Sequence, residues 1–342
     1  MMPNYYRYTQ PIGLREANPQ VTAVYTQLKR DLGSVADPIA LHAPMPPLLA
    51  GAWAILRETL VAGPGERAAK EAVAAAVSVQ NQCPWCVDIH GMMLQATGHT
   101  AARTAIVERH PDRIIDPQLQ ALALWASQPL LGLPPCDPAF VPAILGTAAT
   151  FHYLNRMVNV LLVESFLPAT GLIQGALRTT LPLVLRPLAR RSIAPGAAGQ
   201  WLPRAALPNE LAWAAATPEI AQAFAGWSLL IDRHGRESIT EVVRSRVQDV
   251  LRDWDGTTPG LGRQWVEDAV AGLAPADAAT ARLALLAALA SYRIDDDLVQ
   301  AYRRFHPDDS TFVATLAWAS WAATRRIIVG AVHHEAIASI GA

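Results

Sequence analysis

The stretch Cys83-Pro84-Trp85-Cys86, followed by His90 and preceded by Glu71, constrains the fold of this chain more than any other feature. Proline sits comfortably in a helix only in the first turn, where its fixed φ suits the helix and its missing N–H has no partner to lose. Pro84 therefore marks a helix start, with Cys83 at its N-terminal boundary. The residues after the cysteines, VDIHGMML, continue a helical pattern. Ahead of them, EAVAAAVSVQ reads as a second helix with Ala69, Val73, Ala76 and Val77 on one stripe. Two helices meet at a dithiol.

The rest of the chain follows the same pattern. ATARLALLAALASY and ATLAWASWAATRRIIVGAV are runs of strong helix formers without the period-two alternation of strands. Pro-rich breaks at HAPMPPLLAG, LLGLPPCDPAF and WLPRAALPNE punctuate them. With 342 residues and 51% hydrophobic content there is ample material for a large core. The expected class is all-α. A faint internal duplication adds organisation: PPLLAGAWAILRETLVAGPGE from Pro46 resembles TPEIAQAFAGWSLLIDRHGRE from Thr217, and FVPAIL at Phe140 echoes FVATLA at Phe312. We therefore expect an N-terminal segment (residues 1–40), a first lobe (41–166), a Pro-, Gly- and Arg-rich crossover (167–208) and a second lobe (209–342), the two lobes forming a pseudo-dimer. At the duplication offset Glu241 falls opposite Glu71, while Asp253, Gly256 and Gly260 fall opposite Cys83, Cys86 and His90, so the second lobe lacks the dithiol.

Chemistry concentrates at the first motif. Cys86 and His90 are an i,i+4 pair on one helix face. A free thiol is mostly protonated at neutral pH, so a reactive cysteine needs a helix N-terminus, a cation or a base beside it, and this motif offers all of them. A terminus favours Cys83 as the lower-pKa thiol, whereas the histidine one turn away favours Cys86 as the attacker. Two other readings of the same residues stand beside this one. A Cys-x-x-Cys with a histidine supplies three zinc ligands, but structural zinc takes four, and no second Cys-x-x-Cys or His-x-x-x-His occurs. The pair could also be a structural disulfide that staples a helix start. Cys136, in the loop LPPCDP, has no cysteine or histidine near it in sequence and reads as packing.

Glu71, Cys83, Cys86 and His90, at their spacings of twelve, three and four, resemble the E…CxxCxxxH signature of the AhpD-like alkylhydroperoxidases of the carboxymuconolactone decarboxylase superfamily. The resemblance implies an all-helical, oligomeric protein that reduces alkyl hydroperoxides or hydrogen peroxide. In it Cys86 attacks the peroxide, Cys83 resolves the sulfenic acid to a disulfide, and Glu71 and His90 relay protons. No cofactor is implied; an external thiol reductant is. The residue before the second cysteine, a histidine in the best-known motif, is Trp85 here, which removes one relay partner. Two alternatives are a decarboxylase of the same superfamily, which does not depend on a cysteine pair, and a non-enzymatic helical dimer.

A net charge of −1 gives no general attraction to nucleic acid, and Arg178, Arg186, Arg190 and Arg191 read as a local solvated cluster. The N-terminal MMPNYYRYTQPIGLRE has no apolar run of signal-peptide length, and no window has the roughly 18 uncharged apolar residues of a span; the expected location is cytoplasmic, away from the membrane. Ten tryptophans in apolar helices suggest interfaces and a homo-oligomer. His152, Asn155 and Arg156 form a polar patch in an apolar helix, read either as the entrance of an active site or as a satisfied interface. Asp295, Asp296 and Asp297 mark a helix N-terminus. Gly260-Leu261-Gly262 lacks the context of a dinucleotide site, and His333-His334 lacks the spacing of a chelating pair.

Overall fold

Why the chain is helical throughout is visible in its helix starts, most of which carry a proline in the first turn or a capping side chain. A computed structural model describes residues 5–128, 132–167, 171–260 and 262–338, and these fold as fifteen α-helices, with a single antiparallel bridge between Tyr6 and Leu162 as the β feature among the described residues. In order they are α1 (Pro19–Leu32), α2 (Asp37–Ala40), α3 (Pro46–Leu56), α4 (Arg67–Gln80), α5 (Pro84–Ala96), α6 (Thr100–Val107), α7 (Pro117–Ala126), α8 (Val141–Leu161), α9 (Gly171–Ala189), α10 (Pro218–Ser238), α11 (Glu241–Arg252), α12 (Gln264–Val270), α13 (Pro275–Leu289), α14 (Asp296–Arg303) and α15 (Asp309–Ala338). Asn18, Asp116 and Asp295 accept backbone N–H bonds at the starts of α1, α7 and α14. Asp295 thus caps a helix, as its acidic run suggests.

The centre of the molecule is a seam between α8 and α15, with α3 laid on α10 beside it. Tyr153 on α8 fills that seam, its ring centroid 4.9 Å from Trp227 of α10 and 6.3 Å from Trp321 of α15. Backbones come close here because small residues allow it: a Cβ on Gly51 would lie 2.5 Å from Trp227 Cε3. α4 packs on α8, and α6 and α7 cover α4; α13 packs on α15, and α11 and α12 cover α13. On this packing, a pairing of the two halves would follow a register different from the constant-offset one. Glu241 opens α11 at an exposed position, whereas Glu71 is fully buried in the second turn of α4, so α13 takes the place relative to α15 that α4 has relative to α8. A fixed offset cannot follow helices of unequal number and length between two matched landmarks.

The crossover segment is more ordered than a linker. It carries α9, which packs along α5, and it is pinned to the end of α3 by a buried ion cluster. α3 continues into a π-helical turn (Arg57–Val61), and Arg57 donates to Asp31 Oδ2 and Glu58 Oε1, both at 2.7 Å, and to Ala194 O at 2.9 Å. Glu58 in turn accepts from Gly196 N at 2.8 Å. No helix among the described residues is long and apolar enough to cross a membrane.

Candidate active site

The turn between α4 and α5 sets the geometry. α4 ends at Gln80, Gln82 takes a left-handed conformation (φ 51°), and Cys83 N donates to Ser78 O at 3.0 Å before Pro84 starts α5. Cys83 is the residue that precedes the helix, and Cys86 and His90 follow on α5 as the spacing requires. The two sulfurs, both reduced, lie 2.8 Å apart. A disulfide needs about 2.05 Å, so a small shift closes the pair.

The sulfurs have different surroundings. Cys83 is fully buried, and Cys86 has a small exposed surface on a cavity. Burial, with Cys86 beside it, pushes the Cys83 thiol well above its ordinary range, while a hydrogen bond from Asn155 works in the opposite direction. The first-turn N–H of Cys86 lowers the Cys83 pKa, as the helix-terminus argument requires, but loss of solvent outweighs that contribution.

Glu71 and His90 meet across the two helices. Glu71, with no exposed surface, accepts from His90 Nδ1 at 2.7 Å and from Arg67 Nε at 2.6 Å. Burial alone would raise its pKa, but the charges of Arg67 and His90 and their hydrogen bonds together hold it below the usual carboxylate range. The edge of the His90 ring rests against Phe151, with centroids 4.3 Å apart. Arg67 was not singled out in the sequence, although its i,i+4 spacing to Glu71 is the signal that could have found it.

Cys86, His90, Glu71 and Arg67 line a cavity of about 340 Å³ whose walls are otherwise mostly apolar. Those walls come from far along the chain: Tyr5 and Val35 from the N-terminal segment, Met93 from α5, Leu185 and Leu188 from α9. Trp85, the departure from the motif, is a wall residue too. It is nearly buried, and its ring meets Tyr5 and Phe166 edge-on at 5.1 and 5.3 Å.

A second cavity, of about 220 Å³, lies where α4 ends against the second half of the chain. It is bordered by His152 and Arg156, so this part of the polar patch sits at an interface and outside the Cys86 cavity; Asn155 is buried behind it. Asn81 Nδ2 donates to Asn155 Oδ1 at 3.0 Å, and Asn155 Nδ2 to Ser78 Oγ at 3.0 Å. Burial and the nearby Arg156 charge push His152 well below its ordinary pKa, and burial brings Arg156 down to about 10.

The remaining sequence candidates fall away from both cavities. Cys136 sits in its proline loop, half-buried. Of the basic cluster, Arg178 is more than a solvated charge, since it pairs with Asp88 on α5 at 2.8 Å, and Arg191 donates to Arg30 O at 2.7 Å; Arg186 and Arg190 are exposed. Gly260 O accepts from Arg293 at 2.6 Å, and Leu261 and the side chains of His333 and His334 lie outside the described residues. Among the described residues no group of three or more His, Cys, Asp or Glu side chains is placed to hold a metal ion.

Comparison with known proteins now bears on this geometry. The carboxymuconolactone decarboxylase family profile matches residues 47–128, the segment that carries α4 and the dithiol turn. The chain is also 38% identical over 329 residues to an alkyl hydroperoxide reductase of Mycobacterium tuberculosis, an alignment that spans 94% of each protein. The chain belongs to the AhpD-like carboxymuconolactone decarboxylase superfamily. No solved structure gives a significant match. The matched segment contains Glu71, Cys83, Cys86 and His90; Arg156 and the second half lie beyond it.

Proposed function

We propose that this AhpD-like protein is a thiol-dependent peroxidase of organic hydroperoxides, with Cys86 as the attacking sulfur and Cys83 as the resolving one. The observation that carries the reading is that Cys86 borders an apolar cavity together with a buried His90–Glu71–Arg67 chain, while Cys83, with no exposed surface, lies outside that cavity and borders a separate one of about 450 Å³.

Glu71, kept ionised by Arg67 and His90, accepts a hydrogen bond from the Nδ1–H of His90, which keeps that proton on the ring. The neutral ring then carries its lone pair on Nε2, one helical turn from Cys86. Cys86 gives its proton to that nitrogen and its sulfur attacks the terminal oxygen of the hydroperoxide; an S–O bond forms, the O–O bond breaks, and the departing alkoxide takes the proton back from His90. Cys86 is now a sulfenic acid. Cys83 attacks its sulfur, the S–O bond breaks, and water leaves with the Cys83 proton. The sum is hydroperoxide plus two thiols to alcohol, water and a disulfide. An external dithiol restores the pair by exchange and is itself oxidised. The apolar walls suit the alkyl group of the substrate.

Reacting the fully reduced chain with cumene hydroperoxide tests this. One equivalent of peroxide is expected to consume two thiols and release one equivalent of alcohol; thiols that survive the treatment would leave a structural staple as the better reading. Homo-oligomerisation belongs to the same proposal and is read by sedimentation at micromolar concentration.

A further inference from the structure

Two arginines of this molecule are deeply buried at polar sites, and they differ in one respect. Arg57 is neutralised by Asp31 and Glu58, each at 2.7 Å. Arg156, 6% exposed, has no carboxylate partner among the described residues. Its Nε donates to Ala288 O at 2.7 Å and its Nη1 to His152 O at 2.5 Å, with Asn81 Oδ1 more distant at 3.4 Å. Those acceptors orient the guanidinium and leave its charge uncompensated. A buried ion without a counter-charge is strongly disfavoured, and the usual resolution is a partner, a metal or a bound ion. Among the described residues Nη2 has no hydrogen-bond partner, and the side chain borders the 220 Å³ cavity, whose lining contains no acidic residue.

We propose that this cavity between the two halves is a binding site for a small oxyanion, a carboxylate or phosphate group, held by Arg156. The other groups around it fit that ligand. Ser291, whose hydroxyl accepts from Asn159 and keeps its own proton, and Thr258 line the cavity and can donate hydrogen bonds. Trp254 covers one face of the guanidinium at 6.0 Å from its ring, leaving the forked edge for the ligand. His152 is held neutral by burial and by Arg156, so the site carries a single positive charge. With liquid water taking about 30 Å³ per molecule, the volume accommodates the oxyanion and a short attached chain. The site is distinct from the Cys86 cavity, with which it shares no lining residue. It is nonetheless joined to the dithiol, because Asn81 donates to Asn155 and Asn155 reaches the Cys83 thiol. This inference does not depend on the peroxidase reading.

Calorimetric titration of the full chain with inorganic phosphate, and separately with acetate and succinate, at constant ionic strength set by chloride, tests the proposal. Saturable binding of one ion per chain is expected, with a rise in melting temperature that chloride does not reproduce; whether phosphate or carboxylate binds more tightly identifies the source of the group. Arg156→Met should abolish the binding. If that variant fails to fold, Gln80→Glu carries the test: Gln80 lines the cavity, its Oε1 is buried without a partner, and a carboxylate there should weaken anion binding by about tenfold or more and make the melting temperature insensitive to phosphate. Absence of saturable binding by all three ions, or binding unchanged in both variants, would overturn the site.

Discussion

The dithiol turn lies between two cavities that handle charge in opposite ways. In the Cys86 cavity, Arg67, Glu71 and His90 neutralise one another within hydrogen-bond distance, and the remaining walls are mostly apolar. In the cavity beyond Asn81, a single guanidinium faces neutral polar groups. One helix serves both: α4 presents Arg67 and Glu71 near its start to the first, and Gln80 with Asn81 at its end to the second. The difference teaches that charge on the first side is used up internally, which suits the apolar substrate proposed for it, whereas the second side keeps a charge free for the oxyanion proposed there.

The largest expected effect separates the sulfurs themselves. Cys86→Ser should abolish hydroperoxide turnover and leave Cys83 unmodified by peroxide, because Cys83 has no exposed surface, no base beside it comparable to His90, and a thiol pushed up by burial. Cys83→Ser should instead accumulate a sulfenic acid on Cys86, captured by a dimedone-type probe and located by mass spectrometry. The opposite labelling would reverse the assignment of attacker and resolver.

Next in size is Glu71→Gln. Removing the ionised acceptor leaves His90 a weaker base and Arg67 without its counter-charge, so alkylation of Cys86 at pH 7 should slow by roughly 100-fold. Breaking a buried pair by removing one partner costs about 3–5 kcal/mol, and Arg67, which keeps some solvent contact, puts this variant at or below the lower end. The pH dependence follows from the sign of the shift. Glu71 is more acidic in the folded chain than its ordinary value of 4.5, so its contribution to stability is complete above that pH and disappears as pH falls through the folded-state pKa. Glu71→Gln should therefore flatten the acid limb of the stability curve, and equal acid limbs in denaturant titrations of the two proteins would remove the ion-pair account.

How much of this was legible beforehand depends on distance along the chain. Pro84 and the spacing of Glu71, Cys83, Cys86 and His90 place the four groups on two adjoining helices, and the structure joins Glu71 to His90 as that spacing implies. The helical class follows equally from local pattern. What sequence could not supply is burial: the helix-terminus argument for Cys83 omits desolvation, which only the packed structure reveals. Nor could it supply walls from remote segments, since Tyr5, Leu185 and Leu188 reach the cavity through the N-terminal wrap and α9, and the latter was read as part of a crossover. Trp85 is the instructive case. As a missing histidine it is a lost proton carrier; in the structure it is a buried ring that closes the cavity against Tyr5 and Phe166.

A third prediction sharpens the apolar character of the first cavity. Leu185→Ser shortens a wall residue at the α9 side without touching Cys86, His90 or Glu71. Loss of one apolar contact in a pocket is worth about 1–3 kcal/mol, so kcat/KM for cumene hydroperoxide should fall by about tenfold while that for hydrogen peroxide stays within twofold. Equal losses for both peroxides would mean that α9 only supports the fold.

The smallest effect tests the connection between the two sides. Asn155 is fully buried and is the side chain that, with the backbone N–H of Cys86, counteracts the upward push of burial on the Cys83 thiol. Asn155→Ala should make Cys83 harder to deprotonate, and a protonated thiol attacks a sulfenic acid slowly, so the resolving step should slow by a few-fold while the first step stays unchanged, the attacking sulfur having its own base in His90. Stopped-flow tryptophan fluorescence separates the two phases, and the yield of dimedone adduct should rise in proportion as the second phase slows. Because Asn155 also donates to Ser78 Oγ, Ser78→Ala is the control: it removes that anchor while keeping the amide beside Cys83, and should leave both phases near the parent values. If Ser78→Ala slows resolution as much as Asn155→Ala does, the asparagine acts by holding α8 against α4, and the two cavities are joined by packing alone.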